Sequence, residues 1–125
     1  MYSIKIRDHV MIAHSLNDAL FGPAQKLHGA TYIVDVTFYA QQLNKLNVVI
    51  DIADAHRILQ ETLDSLNYSN LDELPQFKNT ITSVEFLAKY IHDQVKTEIA
   101  QFFTGKISVT LGESHISWAT YEGSE

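Results

Sequence analysis

Apolar side chains fall on every second position at the start of the chain. Ile4, Ile6, Val10 and Ile12 share one parity, and Ser3, Lys5, Arg7 and His9 take the other. A period of two predicts a strand over 2–13 with one buried face. The segment SLNDALFGPAQK, with its turn residues and Gly-Pro pair, interrupts the pattern. Alternation returns over 30–39, where Tyr32, Val34, Val36 and Phe38 form the apolar set. The polar stretch QQLNKLN then separates this second strand from a short apolar run, VVI.

From Asp51 the period lengthens. Ile52, Ala55, Ile58, Leu59, Leu63 and Leu66 recur at intervals of three and four, which predicts an amphipathic helix. Asp51 suits the N-cap, and Asp54 in the first turn is favoured by the helix dipole. After the loop NYSNLDELPQFKN, Thr82 and Glu85 have capping-box spacing. Val84, Leu87, Ala88, Ile91, Val95, Ile99 and Phe102 supply the stripe of a second helix, with Gly105 as its stop. Ile107, Val109 and Leu111 then alternate as a third strand. Ile116, Trp118 and Thr120 follow as a fourth, joined to it by a tight connection at Gly112-Glu113-Ser114.

The order ββααββ predicts an α+β fold: a four-stranded antiparallel sheet with both helices on one face. A length of 125 residues makes this a single domain over 1–125. So small a sheet leaves edges exposed, and pairing them in an oligomer is a reasonable expectation. A net charge of −6 provides no electrostatic footprint for nucleic acid or an anionic membrane. No apolar run reaches the roughly 20 residues needed to span a bilayer, and MYSIKIRDH does not read as a signal peptide. The absence of cysteine removes disulfides, thiolate nucleophiles and zinc-thiolate sites, and fits a reducing, cytoplasmic location.

Three polar residues break the apolar parities. His14 follows Val10 and Ile12; His28 and Ala30 precede Tyr32 and Val34; Glu113 follows Ile107, Val109 and Leu111. All three lie at strand ends, in phase with the core. A buried carboxylate is costly without a partner, and a ligand with adjacent N–H donors would supply one. The alternative readings are plainer: satisfied structural histidines, and a Glu113 that faces water from a turn. Two histidines fall short of the three protein ligands that catalytic zinc normally takes.

Five short motifs in this order resemble the 6-pyruvoyltetrahydropterin synthase and 6-carboxytetrahydropterin synthase (QueD-like) family over nearly the whole chain. Ala13-His14-Ser15-Leu16 matches the family's A-H-x-L. Ala24-Gln25-Lys26-Leu27-His28-Gly29-Ala30-Thr31-Tyr32 matches C-x-x-L-H-G-H-x-Y/F, apart from the cysteine and the second histidine. Leu66-Asn67-Tyr68-Ser69-Asn70-Leu71-Asp72 stands where the family has L-D-H-x-N-L-D. Thr82-Ser83-Val84-Glu85 stands for P-T-x-E, and Glu113 for the late glutamate. The resemblance implies the T-fold, with subunits pairing through their sheets into a barrel, commonly a hexamer, and sites between subunits. It also implies that Glu113 anchors a pterin ring through its 2-amino group and ring N–H, a two-donor edge that a carboxylate matches. Ser83 and the backbone beside it are further binding candidates.

The family's catalytic equipment does not carry over. Its zinc is held by three histidines, whereas here only His14 and His28 remain as vestigial ligand positions and the third is Ala30. The catalytic cysteine is Ala24, and its supporting Asp-His pair is Asn67 and Tyr68. An amide is no general base near neutral pH, and a phenol of pKa about 10 is a poor one. The resemblance therefore implies a pterin-binding T-fold protein without metal or other cofactor. Any different reaction would use His14, His28 or Tyr68 for proton transfer. Two alternatives stand beside it: a non-catalytic pterin-binding or regulatory module, and an active synthase in which His9 or His115 replaces the missing ligand. His9 has the opposite strand parity to His14.

Overall fold

The computed structural model describes residues 1–123. Two long strands, β1 (Tyr2–His14) and β2 (His28–Ala40), form the spine. They pair antiparallel along their full length, from Tyr2 opposite Ala40 to His14 opposite His28. Helix α1 (Ile52–Asp64), a two-residue strand β3 (Ser69–Asn70), helix α2 (Val84–Ile99), β4 (Ile107–Ser114) and β5 (Ser117–Gly123) follow. The sheet order is β3-β1-β2-β4-β5. Both helices pack on one face, α1 over β1 and α2 over β4 and β5.

The strand parities are those of the sequence. Ile6, Val10, Ile12, Tyr32, Val34, Val36, Phe38, Ile107, Val109 and Leu111 are all buried under the helices. From the helices come Ala55, Ile58, Leu59, Leu63, Leu87, Ala88, Ile91, Val95 and Ile99. Burying one such large aliphatic side chain is worth about 1.5–3 kcal/mol, so this layer is what holds the sheet and helices together. Asp51 caps α1, its carboxylate accepting from the Ala53 amide at 2.8 Å.

The structure departs from the sequence reading at several points. The sheet has a fifth strand, β3, parallel to β1 through Ile12–Ser69 and Ala13–Asn70 pairing; two residues are too few to carry a periodic signal. The N-cap of α2 is Ser83, not Thr82: Ser83 Oγ accepts from the Phe86 amide at 3.1 Å. Helix α2 ends at Ile99, short of Gly105, and Phe103 rather than Phe102 joins the core. Gly105 answers to a close approach instead, since a Cβ there would lie 2.5 Å from the Tyr39 carbonyl oxygen. Glu113 belongs to β4, and the turn runs from Ser114 to Ser117. Trp118 pairs with Gly112 and Thr120 with Thr110, which places the β5 stripe on the sheet face away from the helices. Ile116 and Trp118 are accordingly exposed.

Candidate functional site

Antiparallel pairing brings His14 and His28 opposite each other where β1 ends and β2 begins. Their rings meet edge to face, with centroids 4.7 Å apart. His14 is buried, and its Nδ1 lies 2.9 Å from the Thr82 hydroxyl, the residue just before the α2 cap. Burial lowers the His14 pKa, and the neighbouring His28 lowers it further; Asp72 and the hydrogen bond at Thr82 oppose this in part. The imidazole is therefore neutral at pH 7. His28 Nδ1 lies 2.8 Å from the Lys26 carbonyl. A carbonyl only accepts, so this nitrogen is the donor, and in the neutral ring the lone pair is then on Nε2.

A second group lies further along the same face. Val34 pairs with Leu111, which puts Tyr32 level with Glu113. Tyr32 is buried, and its pKa is pushed up to about 12, first by burial and then by the charge of Glu113. Glu113 itself is exposed, so its in-phase position does not bury it within the chain. His28 and Tyr32 are four residues apart in β2, about 13 Å at strand rise, with Ala30 between them and opposite Ile12.

Other candidates take different positions. Ser83 lies next to Thr82, but its hydroxyl is engaged in capping α2. Tyr68 is 80% exposed with a left-handed φ of 61°. Its amide donates to the Met11 carbonyl at 2.7 Å, while Asn67 Oδ1 accepts from the Met11 amide at 2.9 Å. Asn67 and Tyr68 thus fasten the α1–β3 turn to the edge of β1. Among the described residues, no hydrogen bond or ring contact joins Tyr68 to either histidine. His9 is exposed and pairs with Ile33, five residues and about 17 Å from His14. His115 is exposed in the β4–β5 turn.

The zinc centre implied by the resemblance does not fit these residues. Each histidine has Nδ1 engaged, leaving two Nε2 donors and a methyl group at Ala30 in the third place. Among the described residues, no group of three or more His, Asp or Glu is arranged to hold a metal ion. Two partners were not foreseen from sequence. Thr82, which fixes His14, lies in a loop without periodicity. Asp72 accepts from the Ser15 amide at 3.0 Å and from the Ser15 hydroxyl at 2.6 Å, tying the residue after His14 to the turn that follows β3.

The fold has close counterparts. The structure of 6-pyruvoyl tetrahydropterin synthase from Caenorhabditis elegans superimposes with a TM-score of 0.84 at 23% identity, covering 98% of this chain and 96% of that one. The synthase from Plasmodium vivax gives 0.81 at 17% identity, with full coverage of both chains. In sequence, the 6-pyruvoyl tetrahydrobiopterin synthase of Dictyostelium discoideum is 25% identical over 109 residues, spanning 86% of this chain and 78% of that protein. The family profile described as 6-pyruvoyl tetrahydropterin synthase matches residues 3–124. The chain belongs to the 6-pyruvoyl tetrahydropterin synthase family.

Proposed function

We propose that this protein binds a pterin, or a heterocycle of the same donor pattern, and does not run the zinc-dependent synthase reaction. The observation that carries this reading is Ala30, two residues along β2 from a facing pair of anchored histidines that has no third donor beside it among the described residues. The losses at Ala24, Asn67 and Tyr68 point the same way, and Asn67 and Tyr68 hold the edge of β1 instead. The ring anchor is kept. Glu113 offers two carboxylate oxygens to an amino group and an adjacent ring N–H, and buried Tyr32 backs it. If a reaction occurs, His28 is its base, because its protonated Nδ1 leaves Nε2 free to take a proton. His14, neutral and buried against it, completes the pair. This reading includes a cytoplasmic homo-hexamer with sites between subunits.

Zinc content tests it. Protein purified without chelator and analysed by elemental spectrometry should carry zinc far below one equivalent per subunit. A stoichiometric, dialysis-resistant zinc would overturn the reading and restore a synthase with a replacement ligand.

A further inference from the structure

Tyr32 is 1% exposed. A tyrosine buried to that extent ordinarily gives its hydroxyl a hydrogen-bond partner. Among the described residues the Tyr32 hydroxyl has none, and the buried side-chain atom left without a partner is His92 Nε2 instead. The Tyr32 oxygen therefore reaches the surface, at the tip of a ring that is otherwise covered.

The sheet shows where that tip emerges. On the face under the helices Tyr32 has Val10 opposite it on β1, with Ala30 and Val34 before and after it on β2. None of these has a polar side-chain atom. Across β4 its counterpart is Glu113, one step beyond the Ile33–Gly112 pair. Side chains that face each other across antiparallel strands have Cβ atoms about 4.5–5.5 Å apart, so phenol and carboxylate stand side by side. Val10 and Val34 are buried while Glu113 is exposed, which puts the opening on the Glu113 side. Burial first, and then the charge of Glu113, push the phenol pKa up to about 12. The hydroxyl thus keeps its proton in neutral solution and can donate it in a hydrogen bond.

A carboxylate accepts from an amino group and the ring N–H beside it, and it can do no more than accept. On a pterin the next group along that edge is the 4-carbonyl, which also only accepts. A second acceptor would repel it, whereas a neutral hydroxyl next to the carboxylate meets it with a donor. Carbonyl oxygens accept over a broad range of directions, so a phenol rising beside Glu113 has room to reach one.

We propose that Tyr32 is a specificity-determining residue of the ring site: its hydroxyl donates to the ring carbonyl beside the N–H that Glu113 binds, and the two side chains together select a 2-amino-4-oxo edge. The inference rests on the pterin-binding reading.

Calorimetry on the intact protein with 6-methylpterin and its 4-thio analogue decides it, because sulfur in place of oxygen keeps both ring donors and weakens the acceptor. The wild type should bind 6-methylpterin about fivefold more tightly than the thio analogue, the worth of one neutral hydrogen bond. Tyr32→Phe keeps the buried ring and loses only the hydroxyl. It should bind 6-methylpterin about fivefold more weakly, with the two probes within about twofold of each other. A hydroxyl that merely supports the fold or steadies Glu113 would weaken both probes alike and leave the preference intact, and that result overturns the contact. So does wild-type affinity for 6-methylpterin in Tyr32→Phe. Equal binding of the two probes by the wild type overturns it without recourse to any variant. In each of these cases 6-methylpterin still binds and the pterin reading stands; failure of the wild type to bind it overturns both.

Discussion

The charge of Glu113 acts on Tyr32 across neighbouring strands, and each residue gives a measurable consequence. Changing Glu113 to Gln keeps one acceptor but replaces the other with an amide NH2, a donor that opposes the donor edge of a pterin. Hydrogen bonds to a charged group are worth about 1.5–3 kcal/mol, so affinity should fall about tenfold to a hundredfold. Calorimetry with a simple pterin reads this, and an unchanged Kd would show that the carboxylate is not the anchor. For Tyr32 the prediction concerns stability. Its phenol loses a proton at about 12 in the fold and near 10 in the unfolded chain. Below about pH 10 both states hold the proton and the difference contributes nothing. Between about 10 and 12 the unfolded chain is ionised while the fold is not, so stability falls as pH rises through that window. The loss reaches the order of 3 kcal/mol at its upper end. Urea unfolding near pH 9 and near pH 11 should show the slope in the wild type and a shallower one in Tyr32→Phe.

The elements show which signals in a sequence are physical and which are coincidental. Long periodic segments were legible because burial imposed their pattern: β1, β2, β4 and both helices stand within a few residues of their expected bounds. Asp51 was legible as a cap because a carboxylate before an apolar stripe has few other uses. The β5 stripe misled because Trp118 and Ile116 are apolar without being buried. Their face follows from the pairing of Trp118 with Gly112, a register that sequence alone does not fix. Thr82 had capping spacing, but its hydroxyl went to His14 and the cap passed to its neighbour Ser83. Half of the site was legible as strand-end histidines in phase with the core. The rest was not, because Thr82, Ser15 and Asp72 meet through loops. At the far end of β5, Gly123 lies directly against the buried His92 of α2, and a Cβ there would collide with the imidazole. Gly123→Ala should therefore cost about 1–3 kcal/mol as overpacking. A second change, His92→Ala, should return part of that loss in thermal melts. Additive losses would mean that the two positions do not press on each other.

At the scale of the molecule, the sheet is unfinished. The outer edge of β1 is covered only near Ile12 and Ala13, and β5 ends the other side of the sheet. Long open edges are templates for pairing, so a 14.2 kDa chain of this shape should not persist alone. Light scattering at micromolar concentration should report a closed oligomer, and a mass equal to one chain would remove the expectation. The helices cover one face of the sheet. On the other, Arg7 and Asp35 form a two-pronged ion pair and Thr110 bonds Thr120 at 2.7 Å. Trp118 lies across the bare surface of Gly112, with its Cδ1 3.0 Å from where a Cβ would stand. The sequence has no other tryptophan. All indole emission therefore comes from the uncovered face, and dilution through any assembly equilibrium that buries that face should redden it. The protein carries its own optical gauge of which side of the sheet its copies share.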